Sequence, residues 1–226
     1  FYAPNVQKDF NISDEDMQNL ILPSAFAIFG KESSFADMDI DAYKERVVKR
    51  KMYRSYKNTF KDFEHIPRWL VGKELADEIF NFDPLSEGPS QIKMESGSIT
   101  KSWYASKEGK AYQKRYGINP ETIYDPSIAA PATMLLTAKN IQLLKAGMGE
   151  GRWNTLDTLT KRNLIFKAHN KGIDAIFENE FVKDGKADID GGIEIYRNLH
   201  LNRNSYTNLA QDFALALEID YEGIKK

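Results

Sequence analysis

The chain has 226 residues, no cysteine, and 31 Lys+Arg against 33 Asp+Glu, for a formal charge of −2. That length makes one large domain, or one domain with an elaboration, and it buries enough core to fold without disulfides or metal. The missing cysteines exclude a disulfide framework, a Cys-ligated metal site and a thiol nucleophile, and the balanced charge offers no global basic field for nucleic acid.

Taken in chain order, the punctuation is mostly helical. Ser13 reads as an N-cap with Asp14, Glu15 and Asp16 in the first turn, leading into Met17, Leu20, Ile21 and Leu22. Pro23 is expected to interrupt that run and open a fresh helix from Ser24 to Glu32, with Ala25, Phe26 and Phe29 on one face. Glu32 falls at or near its C-terminal end. Residues 41–62 read as a long basic helix carrying Lys44, Arg46, Lys49, Arg50, Lys51 and Lys57. A solvated face explains it, with a grip on an anionic polymer as the functional alternative. Beyond it come a short helix over 66–80 and a loop over 82–90.

Residues 101–116 carry Trp103, Tyr104, Tyr112 and Tyr116 among lysines, which fits a helix with an aromatic side or an irregular insertion. Asp125 caps the next helix and Pro126 takes its first position. Its apolar side runs from Ile128 to Leu144, and Gly147 ends it. Another helix spans Thr158 to Asn170, with Gly172 as a left-handed terminator. Residues 174–204 are mixed and acidic. Within them Asp184 to Gly191 reads as a polar turn, because it lacks the alternating acids and terminal Glu of a calcium loop. Tyr206–Glu218 closes the chain as a helix. Strand signal is weak, so the class is mainly α. No apolar run approaches the roughly 18 residues of a membrane-spanning helix. No signal peptide is visible, and the chain opens at Phe1, which reads as a removed leader or a piece of a longer protein.

Three segments carry chemistry when taken in order: Glu32-Ser33-Ser34-Phe35, Gly88-Pro89-Ser90-Gln91-Ile92, and Ala168-His169-Asn170-Lys171-Gly172. The order is a Glu closing an apolar helix, a small-residue turn ending in Gln, and a helix ending Ala-x-Asn-x-Gly. It resembles the soluble lytic transglycosylases and their goose-type lysozyme cousins. Their pattern is Glu-Ser-x-Phe, then Gly-x-x-Gln-Ile/Val, then Ala-Tyr-Asn-x-Gly. The match is full at the first motif, holds Gly88, Gln91 and Ile92 at the second, and departs at His169, where the family has Tyr. It covers roughly residues 18–172.

The resemblance implies a lysozyme-like fold as a single catalytic domain over 1–226. The 59 positions between Glu32 and Gln91 far exceed the family's spacing. They imply a basic, mostly helical insertion over about 40–82, which would cover the cleft, dock a protein partner or grip the glycan. A C-terminal extension covers about 174–226. The implied activity is cleavage of the MurNAc–GlcNAc bond of peptidoglycan, with Glu32 as acid and then base and with no cofactor. Ser33, Ser34, Gln91, His169 and Asn170 would bind substrate. The implied location is periplasmic, extracellular or virion-associated.

The physics is consistent with that role. A carboxylic acid protonates a glycosidic oxygen near neutral pH only where its surroundings favour the neutral form. Apolar neighbours and the partial negative charge of a helix C-terminus both do so. Two alternatives remain open. A hydrolase needs a second carboxylate to hold water, with Glu87 the first candidate and Asp37, Asp39, Asp41 and Glu95 behind it. A non-catalytic binding module of a phage particle or secretion machine would use the insertion for its contacts. His65 and His200 show no metal-ligand spacing, so no metal is expected.

Overall fold

The computed structural model describes residues 3–33, 92–94, 102–120 and 122–198. The helices expected over 41–62, 66–80 and 206–218, the loop 82–90, the insertion about 40–82, and Ser34, Glu87 and Gln91 lie outside the described residues. Of the residues described, 79% are helical, which makes the class mainly α. The chain divides into two compact units, Phe1–Ser34 with Ala129–Lys226, and Phe35–Ile128.

The first unit opens with α1 (Ala3–Phe10). The Ser13 hydroxyl then accepts from the Asp16 amide at 3.0 Å, the cap the sequence promises for α2 (Asp14–Asp16). Pro23 stands in the first turn of α3 (Leu22–Ser33), as expected, but it does not interrupt the chain: a π-turn (Met17–Ile21) runs directly into that helix. The Leu22 amide bonds back five residues to the Met17 carbonyl. Pro23 has no N–H to offer the Asn19 carbonyl four residues earlier. The Arg162 guanidinium takes that carbonyl instead, with Nε at 3.0 Å and Nη2 at 2.7 Å. A second difference concerns the apolar face. Ala25, Ile28 and Phe29 are buried, but Phe26 is 46% exposed. At 100° per residue Phe26 stands beside the i, i+3, i+4 stripe, not on it.

The described part of the second unit is short. Ser106 caps α4 (Lys107–Tyr116) by accepting from the Gly109 amide at 3.0 Å. The residues ahead of it form a 3₁₀ turn, Trp103–Ala105. The lysine-rich stretch is therefore a helix with an aromatic side. Trp103 lies 5.5 Å from Tyr112, and Tyr112 stacks on Tyr116 at 6.2 Å. Tyr104, Tyr116, Ile92, Met94, Ile118 and Ile123 are buried.

The Asp125 carboxylate accepts from the Ser127 amide at 2.8 Å, at the start of α5 (Pro126–Met148). Pro126 occupies the first position, as read from sequence. After α6 (Glu150–Thr155) comes α7 (Thr158–Lys171), capped by Asp157 on the Thr160 amide at 2.8 Å. Leu164, Ile165 and Phe166 are consecutive and all buried, so α7 is covered on every side in its middle. It packs against α3, the π-turn, α8 (Ile173–Ala175), a second π-turn (Ile176–Glu180) and α9 (Ile189–Arg197). Each of Ile165, Phe166, Ile21 and Ile28 is fully buried and contributes about 1.5–3 kcal/mol by leaving water.

The acidic stretch resolves into a small hairpin. Strands β1 (Val182–Lys183) and β2 (Lys186–Ala187) pair antiparallel, with Val182 opposite Ala187. Asp184 and Gly185 both have positive φ, 52° and 74°, the twist that a two-residue hairpin turn needs. Asp188 caps α9 through the Gly191 amide at 3.0 Å. The stretch is thus the polar turn expected from sequence, with one of its carboxylates committed to a helix end. No described helix is long and apolar enough to cross a membrane.

Candidate functional site

Two of the three sequence motifs fall in the first unit, on helices that pack together. Glu32 is the penultimate residue of α3, close to the helix end as the sequence predicts. Glu32 and Ser33 are described in backbone only. His169 and Asn170 sit in the last turn of α7, the helix that packs on α3. His169 is half-buried and Asn170 is exposed. Of the second motif only Ile92 is described, and it is fully buried. Positions 88–92 fall within the range of the second unit.

The end of α7 is tightly closed. The Gly172 amide bonds the Ala168 carbonyl at 2.9 Å and completes the last turn. Gly172 has φ 88° and ψ 157°. The sequence predicts the left-handed helical conformation there; the observed ψ lies outside it, in a region populated essentially by glycine. The requirement for glycine stands, but the chain leaves α7 extended and not curled.

A polar network braces the same end. The Lys167 ammonium pairs with Glu180 at 2.7 Å, and the Tyr196 hydroxyl donates to the other Glu180 oxygen. Asn163 Nδ2 donates to the Tyr196 carbonyl at 3.0 Å. Burial, and then the Glu180 carboxylate, push the Tyr196 hydroxyl far above its ordinary pKa. These contacts tie α7 to the second π-turn and to α9, so the turn that carries His169 and Asn170 has a fixed seat.

Sequence reading missed Arg162, Lys167, Glu180 and Tyr196. One signal was available for Arg162. It precedes the run Leu164-Ile165-Phe166 in a helix with apolar residues all round, where a charge needs a buried acceptor. The other three meet through sequence separations that no local pattern reveals.

A groove of about 400 Å³ lies between the α1–α2 connection and α5, lined by Phe10, Ile12, Ala138, Ile141, Gln142 and Lys145. No described motif residue lines it. Among the described residues no group of three or more His, Asp or Glu side chains is placed to hold a metal. No protein-family model, curated protein or solved structure matches the chain.

Proposed function

We propose that this chain is a peptidoglycan lytic transglycosylase with a lysozyme-like fold. One observation carries the reading. Glu32 of the Glu-Ser-x-Phe motif stands at the end of an apolar helix, and that helix packs on the one ending in Asn170-Lys171-Gly172. Two segments 138 positions apart, from Glu32 to Asn170, thus belong to one packed unit in the order the resemblance requires.

The chemistry uses one carboxyl twice. Glu32 as the acid gives its proton to the oxygen bridging MurNAc and GlcNAc, and the bond from that oxygen to the MurNAc C1 breaks. The resulting carboxylate takes the proton of the sugar's own C6 hydroxyl. That oxygen closes on C1 and leaves a 1,6-anhydro end, with Glu32 protonated again. Gln91 and Asn170 bring amides suited to hydroxyl and acetamido groups, and Ser33 and Ser34 bring hydroxyls. His169 in place of Tyr adds a group that titrates near neutrality. Such an enzyme works where it meets the cell wall: periplasm, exterior or virion.

Mass spectrometry of fragments released from purified peptidoglycan tests the reaction type. Fragments lighter by one water than the hydrolysis products are expected. Reducing ends would instead assign a hydrolase and direct the search to Glu87. No release by the folded protein would put the non-catalytic binding module first.

A further inference from the structure

Arg162 is a buried cation, 2% exposed, on the helix that carries His169 and Asn170. Two of its guanidinium nitrogens converge on one backbone oxygen, the Asn19 carbonyl, 143 residues away. Asn19 lies in the π-turn directly ahead of α3. Its carbonyl is the one that Pro23 leaves without a helical donor. Asn19 is exposed, so the burial that matters is the guanidinium's, and a buried charge without acceptors is costly. The helical position that Pro23 leaves open gives that charge an acceptor, and Arg is the side chain whose rigid fork puts two donors on it.

We infer that Arg162 is a positioning residue: by filling the carbonyl that Pro23 vacates, it locks the Glu32 helix in register against the His169–Asn170 helix. Its catalytic consequence rests on the lytic transglycosylase reading; the lock itself does not. A residue with an N–H at position 23 would satisfy Asn19 within the helix. The proline removes that internal solution and hands the carbonyl to the partner helix. The contact therefore ties α7 to the turn that leads into α3 by directional hydrogen bonds, where apolar packing alone is non-directional.

A double-mutant cycle on the full 226-residue chain tests this, using Arg162→Met, Pro23→Ala and both together. Arg162→Met raises the unfolded fraction in urea on the order of ten- to a hundredfold, and speeds amide exchange over residues 24–29 by about tenfold. Pro23→Ala returns an N–H to the Asn19 carbonyl. In that background the Arg162→Met penalty falls to about half or less of its logarithmic size. If Arg162→Met alone does not fold, folding of the double variant shows the same coupling. Additive penalties, unchanged exchange over 24–29, or a double variant that also fails to fold would overturn the lock.

The catalytic side is read with Arg162→Lys, which keeps the charge but loses the fork. Wall cleavage with kcat lowered about tenfold and KM unchanged supports positioning; an unchanged kcat contradicts it. A wild type that releases no fragments removes the transglycosylase reading. The urea and exchange results still decide the lock.

Discussion

Tyr196 holds its proton at pH values where an ordinary tyrosine gives it up, because it is buried and donates to Glu180. Its folded pKa is raised, so the stability it contributes is complete below the unfolded value of about 10 and is lost as pH climbs beyond it. Above that point the unfolded chain binds fewer protons than the folded one. Urea midpoints taken from about pH 8 to about pH 11 should fall with pH, and Tyr196→Phe should flatten part of the fall. Buried Tyr104, also shifted upward by burial, accounts for a remaining slope. Equal slopes in wild type and variant would refute the assignment.

Asp157 carries the opposite sign. Burial pushes its carboxyl up, but hydrogen bonds from the Thr160 amide and hydroxyl pull it below the ordinary value. Its contribution is present above about pH 4 and is lost as pH falls through the lowered value. Asp157→Ala should cost about 1 kcal/mol near neutral pH as a lost N-cap. The gap between variant and wild type in denaturant should narrow in acid; a constant gap would argue against an ionised cap.

At the scale of elements, the legible features are those whose cause is local. Ser13 and Asp125 cap helices within three residues of themselves, and Pro126 fixes φ at its own position, so short patterns identify them. Pro23 misleads for the same reason. Locally it is a helix breaker, and Arg162, distant in sequence, donates to the Asn19 carbonyl that it leaves open. Phe26 misleads because a short apolar run does not say which side faces the core. Glycine shows the same division. Gly192 gives no sequence signal, yet a Cβ there would stand 2.1 Å from the Phe181 ring and 2.8 Å from the Glu180 carbonyl. Gly192→Ala should therefore push α9 off the second π-turn and cost about 1–3 kcal/mol. A thermal or urea midpoint matching wild type would show that Phe181 has room to yield.

At the scale of the whole molecule, the helical class was legible because cap residues and apolar runs recur at helical spacing, and it survives the misreadings at Pro23 and Phe26. The candidate site was legible only as residue types in order. Glu32 and Asn170 fall in one packed unit, while positions 87–91 fall in the range of the other. The braces behind α7, namely Lys167, Glu180 and Tyr196, were not legible, since their pairing depends on tertiary contact across the second π-turn. The proposed function reduces at this scale to whether Glu32 moves the proton.

The most direct measurement is fragment release from purified peptidoglycan by wild type beside Glu32→Gln, both shown folded by their urea transitions. Glutamine keeps the shape and loses the proton, and general acid–base catalysis of this kind supplies about a hundred- to ten-thousandfold in rate. Wild type should release anhydro-ended fragments, and the variant should release them at least about a hundredfold more slowly. Equal release by the two proteins would contradict proton transfer by Glu32.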